Sequence, residues 1–283
     1  MDVIARLLER GFHQVITLDA AQCSSEFDHG TLLLAIWTYE AEENPDMSGA
    51  WIHPYYPASQ KAYQAASMTA QEAGAALRPD IRLKPIFARL PMFTQGRNTL
   101  SYLCGVGSRF HVQTIYLEET LPDRIRMEDV AHGLHCGACR ACIAACPNGA
   151  IDEDGFHREK CLRNWMMSGK PVPEDVRTAM GSRLIGCDEC QRCCPHNAAA
   201  KGTCEKSLSV ESVLTDPKAA CEQLRPMIGA NLAIPNRVLS QACIMAGSTY
   251  RKELLPLLKT LADHPSPVVR EHAAWAADQM KHM

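Results

Sequence analysis

The sequence predicts an α+β protein of several domains: an N-terminal α/β domain, a cysteine-rich domain and a C-terminal helical cap. Three observations lead to this prediction. Apolar runs of strand length alternate with helix-length segments in the first part of the chain. Cysteines then cluster within about sixty residues, and apolar residues recur at helical spacing after them. The predicted domain boundaries are 1–131, 132–204 and 205–283.

The N-terminal domain is predicted to hold a sheet covered by helices, because helical and strand patterns alternate there. The expected elements are an amphipathic start over 3–8, strands over 14–18, 31–37 and 112–117, and a helix over 57–77 that Pro57 opens. The Gly- and Pro-rich stretch 44–58 is expected to be a surface loop. Its aromatic residues are interpreted either as surface side chains or as a lid over a pocket; they are His53, Tyr55 and Tyr56.

Two groups of cysteines occupy the middle domain, and each ends in a Cys-Pro pair. Their spacing is typical of a ferredoxin-like domain that holds two [4Fe–4S] clusters. The Cys-Pro cysteine of one group usually binds the other cluster. Cluster I is therefore predicted to use Cys136, Cys139, Cys142 and Cys194. Cluster II is predicted to use Cys146, Cys187, Cys190 and one further cysteine.

Cys161 and Cys193 compete to be the eighth ligand. The sequence favours Cys161, because Cys194, the cysteine that precedes a proline, does not follow Cys190 at the spacing of a duplicated ferredoxin motif. Adjacent Cys193 and Cys194 would also have to direct their side chains to different clusters. Two structural zinc sites are the alternative interpretation, although zinc ligands usually come as two separated pairs. The remaining cysteines are expected to be buried, inert thiols: Cys23, Cys104, Cys204, Cys221 and Cys243.

Charge and hydropathy limit the classes of partner. The formal net charge is −3, and two clusters of about −2 each bring it to about −7. An acidic protein is not expected to bind nucleic acid generically. The longest apolar run, 32–37, is far too short to cross a bilayer. The N-terminus lacks a secretory pattern, so the sequence predicts a reducing, cytoplasmic location in which clustered cysteines bind metal.

The C-terminal domain is predicted to be helical. One helix is expected to start at Pro235, a second to span 250–261, and a third to follow residues 263–267. The stretch Asp-x-Pro-x-Pro-Val-Val-Arg-Glu-His-Ala-Ala that begins at Asp263 resembles a HEAT-type helical repeat. Only one clear repeat is visible, which favours a cap over a solenoid.

The cysteine region resembles that of the epoxyqueuosine reductases. Residues 136–151 resemble the family's first cluster motif, and residues 183–197 its second, with Cys193 as an extra. Cys161, within Glu-Lys-Cys-Leu, matches the family's lone middle cysteine. Further similar segments are 96–100, 107–110 and 268–276, so the resemblance spans roughly residues 57–283.

The resemblance implies an activity as well as a fold. Members of this family carry cobalamin beside the first cluster, and electrons delivered to cobalt reduce the epoxide of a queuosine precursor on tRNA. Two departures favour a divergent, short member over the tRNA enzyme itself. The segment before Cys136 is shorter, and the family's Asp-Ser-Ala-Pro stretch falls at residues 77–80, where Asp80 is out of register. The aspartate of that stretch is the family's proposed proton donor.

Four residues near glycines are candidates to line a cofactor or substrate pocket: Asn98, Tyr102, Ser108 and Arg109. The alternative is that residues 105–107 form a plain turn between strands. Histidines beside the motifs either donate hydrogen bonds to cluster sulfurs or face solvent; they are His132, His135 and His196. Basic residues near the cysteines either balance the cluster charge or dock an acidic donor or tRNA; they are Lys160, Arg163, Arg183 and Arg192.

The sequence therefore predicts an iron–sulfur oxidoreductase that passes low-potential electrons to a cobalamin or a substrate in the N-terminal domain. A second hypothesis is a two-cluster electron-transfer protein without a corrinoid. A third is an authentic epoxyqueuosine reductase acting on tRNA. A ferredoxin or flavodoxin is the expected electron donor, and no membrane partner is expected.

Overall fold

The computed structural model describes residues 2–41, 50–122, 124, 125, 127, 136–197 and 208–281. The chain forms two compact units. The N-terminal unit takes its residues from 1–40, 57–140 and 194–199, and the C-terminal unit from 41–56, 141–193 and 200–283. The predicted domain boundaries, near residues 131 and 204, lie outside the described residues. The division into three domains therefore stays a prediction.

Short helices and strands follow one another along the chain. The first part contains α1 Val3–Glu9, β1 Gln14–Asp19, α2 Ala20–Cys23, β2 Thr31–Thr38, β3 Trp51–Ile52, α3 Tyr55–Ala73, β4 Ala76–Leu77, α4 Leu83–Phe87, β5 Phe93–Gln95, β6 Ser101–Leu103 and β7 Phe110–Leu117. The cysteine-rich part contains α5 Ala141–Ala145, a 3-10 turn Arg158–Lys160, α6 Leu162–Trp165, α7 Glu174–Met180, β8 Arg183–Ile185 and α8 Glu189–Arg192. The last part contains α9 Val210–Thr215, α10 Pro217–Ile228, α11 Pro235–Ser248, a 3-10 turn Lys252–Leu254, α12 Leu255–Thr260, a 3-10 turn Leu261–Asp263 and α13 Pro267–Gln279.

A four-stranded antiparallel sheet forms the centre of the N-terminal unit. Its strand order is β1-β2-β7-β4, and β2 pairs along its whole length with β7. The first six residues of β2 are buried, and the sheet has an apolar cluster on each face. Leu32, Leu34 and Ile36 belong to one cluster, and Leu33 and Ala35 to the other. Burial on both faces explains why this strand reads as an unbroken apolar run.

The long helix of the N-terminal unit differs from its prediction at the C-terminal end. The sequence predicts a helix over 57–77, whereas α3 ends at Ala73. Gly74 follows with a φ of 64°, and Ala76 and Leu77 pair with β7 as β4. Glycine adopts this left-handed conformation readily, so it ends the helix and redirects the chain toward the sheet.

The helices α9 to α13 share one apolar core with the strands of the C-terminal unit. This cluster joins Ile52 of β3 and Leu184 of β8 to residues such as Val238 of α11 and Ala273 of α13. The cysteine-rich segment contributes Leu184 and Ile185 to this core. The mixed helix-and-strand architecture is confirmed, while the HEAT-type assignment stays a prediction.

The predicted C-terminal helices are present with one change. The helix that starts at Pro235 and the helix that follows residue 266 are confirmed as α11 and α13. The predicted helix 250–261 is broken into α12 flanked by two 3-10 turns. Pro256 near the start of α12 lacks the N–H that would continue the preceding turn as an α-helix. Within the described ranges, no helix is long and apolar enough to cross a membrane.

Candidate metal centre

A β-hairpin in the N-terminal unit carries much of the first candidate site. Strands β5 and β6 pair antiparallel, with Thr94 opposite Tyr102. Their connecting loop closes through hydrogen bonds from Gly96 N to Leu100 O at 2.9 Å and from Thr99 N to Gly96 O at 2.9 Å. A Cβ at Gly96 would lie 2.5 Å from the Tyr102 ring. Only glycine allows this loop to pack so closely against that ring.

Hydrogen bonds from this hairpin reach two predicted ligands of cluster I. The backbone N–H of Arg97 donates to Cys136 Sγ at 3.2 Å. The Tyr102 hydroxyl donates to Cys194 Sγ at 3.3 Å. N–H and O–H donors around cysteine sulfurs are the usual surroundings of iron–sulfur ligands. One hairpin thus brings together two cysteines that lie far apart in the sequence.

The segment that bears Cys194 is also held by Ser108. The Ser108 N–H donates to Asn197 Oδ1 at 2.8 Å, and Asn197 Nδ2 donates to Ser108 Oγ at 3.1 Å. Gly107, at a φ of 88°, makes this approach possible, because a Cβ there would lie 2.3 Å from Asn197 Oδ1. The His196 ring is exposed and packs edge-on at 6.2 Å from the Tyr102 ring. The residues around the last Cys-Pro pair are thereby fixed on the N-terminal unit.

The four candidate pocket residues are all buried, between 4% and 7% exposed: Asn98, Tyr102, Ser108 and Arg109. Asn98 Nδ2 donates to the Tyr102 hydroxyl oxygen at 2.9 Å. Burial and the bond to Cys194 raise the pKa of Tyr102 above its usual range, so this hydroxyl stays protonated. Tyr102 therefore contacts a predicted cluster ligand, Asn98 contacts Tyr102, and Ser108 contacts Asn197 in the segment that bears the ligand. Their role as cofactor-binding residues stays a prediction.

Five cysteines gather in the C-terminal unit around Cys190. Burial is the main cause that raises the pKa of this thiol, followed by the nearby cysteines, in decreasing order Cys187, Cys161, Cys193 and Cys142. The pKa of Cys187 is raised to about 11, mainly by burial, with Arg183 acting in the opposite direction. Neutral thiols in such a place lose their protons when a metal centre binds them. Cys161 and Cys193 both lie near Cys190.

Cys146, the cysteine of the Cys-Pro pair in the first group, also accepts a hydrogen bond at its sulfur. The Ala150 N–H donates to Cys146 Sγ at 3.1 Å, within the turn that follows α5. Cys142 lies on α5 itself. It is one of the four cysteines assigned to cluster I, and it belongs to the C-terminal unit.

His53 was not recognised from the sequence as a support of the cysteines. Residues 44–58 were expected to form a surface loop with aromatic side chains at the surface, but His53 and Tyr56 are only 5% and 4% exposed. His53 Nδ1 accepts from Tyr55 N at 2.9 Å, so Nε2 carries the proton and donates to Gln191 Oε1 at 3.0 Å. Gln191 lies on α8 between Cys190 and Cys193. The sequence shows a histidine beside a turn, but it does not show that His53 contacts Gln191, which lies far away in the sequence.

The basic residues near the cysteines differ in their surroundings. Arg183 pairs with Glu189 at the start of α8, and the Arg163 guanidinium lies 5.1 Å from the centre of the Tyr56 ring. Lys160 and Arg192 are exposed. Arg163 and Arg183 therefore have partners inside the C-terminal unit, and the charge of Arg192 acts on Asp188. The candidate histidines His132 and His135 lie outside the described residues.

The cysteines outside the two motifs follow their prediction only in part. Cys221 and Cys243 are buried, and burial raises the pKa of Cys243 to about 12. Cys23 is half-buried, with its pKa also raised to about 12 by burial. The prediction is wrong for Cys104, which is exposed because it begins the turn after β6. Cys204 lies outside the described residues.

The donor set fits iron–sulfur clusters, since it consists of thiols whose sulfurs accept hydrogen bonds from the protein. A zinc site would need several ligands that converge on one ion. Among the residues that the structure describes, no group of three or more His, Cys, Asp or Glu side chains is arranged to hold a single metal ion. A cubane instead holds its four thiolates at separate irons. The metal content of the purified protein tests these alternatives.

Comparison with known proteins supports a domain that binds two [4Fe–4S] clusters. The family described as "4Fe-4S double cluster binding domain" matches residues 135–197. The epoxyqueuosine reductase of Xanthomonas campestris pv. campestris is 32% identical over 198 residues, 65% of this chain and 54% of that protein. The epoxyqueuosine reductase of Bacillus subtilis is 30% identical over 183 residues, 57% of this chain and 45% of that protein. The chain thus spans about half the length of these two relatives.

A third relative is covered more fully. An uncharacterized protein encoded in the gldA 3′ region of Geobacillus stearothermophilus is 31% identical over 162 residues, 50% of this chain and 70% of that protein. This relative carries no activity in its name, so it extends the likeness without adding a function.

Solved structures show the same fold. The epoxyqueuosine reductase of Streptococcus thermophilus matches with a TM-score of 0.73 at 16% identity, over 100% of this chain and 90% of that one. An epoxyqueuosine reductase in complex with an epoxyqueuosine-modified tRNA-Tyr stem loop matches with a TM-score of 0.70 at 17% identity, over 99% and 89%. The relatives by sequence show that the chain is similar to the epoxyqueuosine reductases, and the solved structures show that it shares their fold.

Proposed function

We propose that this protein is an iron–sulfur oxidoreductase that passes low-potential electrons to an acceptor held by its N-terminal unit. The observation that carries the proposal is the β5–β6 hairpin, which donates hydrogen bonds to the sulfurs of Cys136 and Cys194. At a cluster ligand, each donated hydrogen bond stabilises the added negative charge of the reduced cluster.

Cluster I is proposed to be held by Cys136, Cys139, Cys142 and Cys194, and cluster II by Cys146, Cys161, Cys187 and Cys190. When bound, the two clusters supply one-electron transfer. The protein positions the thiolates and directs N–H and O–H donors at the sulfurs of Cys136, Cys146 and Cys194. Cys161 is proposed as the eighth ligand because it matches the lone middle cysteine of the epoxyqueuosine reductases.

The acceptor is proposed to be a cobalamin or the substrate itself. The resemblance implies cobalamin in the N-terminal unit. Four residues of that unit are proposed to line the cofactor or substrate pocket: Asn98, Tyr102, Ser108 and Arg109. Tyr102 and Ser108 contact the segment that bears Cys194, and Asn98 contacts Tyr102. A ferredoxin or a flavodoxin is the proposed electron donor.

Reduction of epoxyqueuosine on tRNA is a second candidate function. It is favoured by the tRNA stem loop bound to a solved relative. Asp80 weakens it, because this exposed carboxylate pairs with Arg78 at 2.7 Å and the hydrogen bond from Arg78 lowers its pKa to about 2. A carboxyl group that is ionised at neutral pH has no proton to donate. The tRNA enzyme therefore ranks below a reductase with another substrate.

The experiment that tests the proposal uses the full chain, reconstituted anaerobically. Cobalamin is added, and EPR of the cobalt(II) state shows whether it binds in a base-off form. The chemically reduced protein is then mixed with cobalamin, and absorbance follows the change of the cobalt oxidation state. Bound cobalamin that is reduced through the protein supports a corrinoid-dependent reductase. Clusters that reduce and reoxidise without any cobalamin uptake favour an electron carrier or a reductase without cobalt.

A further inference from the structure

The Tyr102 hydroxyl lies in a directional hydrogen-bond chain that ends on a predicted cluster ligand. Leu100 N donates to Asn98 Oδ1 at 3.2 Å, and Asn98 Nδ2 donates to the Tyr102 oxygen at 2.9 Å. The Tyr102 hydroxyl donates in turn to Cys194 Sγ at 3.3 Å. Because the amide group of Asn98 occupies a lone pair of the phenol oxygen, the phenol proton points toward sulfur.

The surroundings hold this arrangement in place. Asn98 and Tyr102 are 4% and 7% exposed, so water competes little for the Tyr102 hydroxyl. Gly96 lets the loop pack against the Tyr102 ring, and Asn197 fixes the segment that bears Cys194 through its bonds to Ser108. The hydroxyl and the sulfur therefore lie on two segments that are each fixed separately. A hydrogen bond held in this way persists when the charge of the sulfur changes.

We propose that Tyr102 is a positioning residue that raises the reduction potential of the cluster ligated by Cys194. This inference rests on the proposed function, because it requires that Cys194 binds a cluster. Reduction adds one electron to the cluster, and part of that charge resides on the thiolate sulfurs. A donor aimed at sulfur stabilises the reduced form more than the oxidised form, which raises the potential. Asn98 contributes by orienting the hydroxyl.

Replacement Tyr102→Phe keeps the ring and removes the donor, and Tyr116→Phe is the matched control. Tyr116 lies in the same unit, stacks on Phe27 and donates its hydroxyl to a backbone oxygen, His29 O, at 3.3 Å. Both variants are reconstituted anaerobically as full chains. Iron content is measured first, and each cluster midpoint is then determined by a redox titration followed by EPR.

Tyr102→Phe is expected to retain the iron content and to shift one midpoint to a more negative value. A tenfold change in the equilibrium constant for reduction corresponds to about 59 mV for one electron. Tyr116→Phe is expected to leave both midpoints unchanged. The inference is overturned if Tyr102→Phe holds full iron with both midpoints unaltered, or if both variants shift them equally.

Asn98→Ala keeps the inference testable if Tyr102→Phe loses a cluster. A shift in the same direction, with iron retained, then supports the orienting role of Asn98, and unchanged midpoints overturn the inference. Failure of the proposed function looks different. In that case the wild-type chain would not hold two clusters. If only this inference fails, the wild-type chain holds both clusters, and their midpoint potentials do not depend on Tyr102.

Discussion

The sulfurs of two predicted cluster ligands accept hydrogen bonds from distant parts of the chain. Arg97 N–H donates to Cys136 and the Tyr102 hydroxyl donates to Cys194, whereas the Ala150 N–H that donates to Cys146 is local. The spacing of the cysteines predicts that they bind clusters, because it follows the pattern of a two-cluster domain. The donors could not be predicted in the same way, since Tyr102 and Cys194 meet only through tertiary structure. Sequence therefore identifies the ligands better than the groups that tune them.

The eighth ligand is tested by Cys161→Ser against Cys193→Ser. Cys161→Ser is expected to lose cluster II and so lower the iron content from about eight to about four per chain. Cys193→Ser is expected to keep about eight. Iron and sulfide are quantified in each variant after the same anaerobic reconstitution. Loss of iron from Cys193→Ser, with full iron in Cys161→Ser, would assign the ligand to Cys193 instead.

The turn between β8 and α8 shows how elements position the second group of cysteines. Gly186, at a φ of 92°, connects the strand to Cys187. A Cβ there would lie 2.3 Å from His53 Cβ. The short strand β3 next to β8 thus brings His53 against the turn, and His53 in turn holds α8 through Gln191. The sequence shows Gly186, but it does not show that His53 packs so closely that a Cβ at this position would clash with it.

Gly186→Ala is expected to destabilise the protein and to weaken retention of cluster II. Backbone strain contributes about 1–3 kcal/mol, and the clash with His53 adds to it. Gly105→Ala is the control, because Gly105 also has a positive φ, 76°, but a Cβ there meets nothing within 4 Å. Denaturant unfolding and iron content are measured for both. Equal losses in the two variants would show that the contact with His53 has no effect.

A buried histidine joins the cysteine-rich segment to the last helices. His272 of α13 accepts at Nε2 from Val172 N at 3.1 Å, so its Nδ1 proton is donated to Ser240 Oγ of α11 at 2.6 Å. Arg177 of α7 donates to Val172 O at 2.6 Å. The predicted helical cap is therefore bound to the cysteine-rich segment by hydrogen bonds as well as by a shared core.

His272 predicts a pH dependence of stability in the C-terminal unit. Burial, assisted by the charge of Arg177, lowers its pKa from 6.5 to about 4. The unfolded chain then binds more protons between these values, so stability is lost as pH falls below about 6.5. At pH 5 the expected loss is about 2 kcal/mol. His272→Gln should flatten this dependence, because glutamine does not titrate.

Denaturant unfolding of wild type and His272→Gln at about pH 7 and about pH 5 measures this effect. The exposed His13 provides the control, and His13→Gln is expected to keep the wild-type slope. His111 is half-buried in the N-terminal unit, and burial lowers its pKa to about 4 as well. It therefore adds a slope of the same sign to that unit. An unchanged pH dependence in His272→Gln would contradict the assignment.

Prediction from the sequence is most accurate for segments with a clear apolar pattern. It is least accurate where segments of one unit alternate along the sequence with segments of the other. Strand β2 and helices α11 and α13 follow from apolar spacing alone. The division into two units does not follow from apolar spacing. Residues 41–56 belong to the C-terminal unit although the segments on both sides of them belong to the N-terminal unit, and residues 194–199 show the reverse. Short strands such as β3 and β4 were missed, since two residues carry no measurable period.

The central claim is that this chain holds two [4Fe–4S] clusters on the cysteines of residues 136–194. The most direct measurement is the iron, sulfide and zinc content of the anaerobically reconstituted full chain, with EPR of the reduced state. The account predicts about eight irons and about eight sulfides per chain, no stoichiometric zinc, and signals from two reduced clusters. About two zinc ions per chain with little sulfide, or only about four irons, would contradict it.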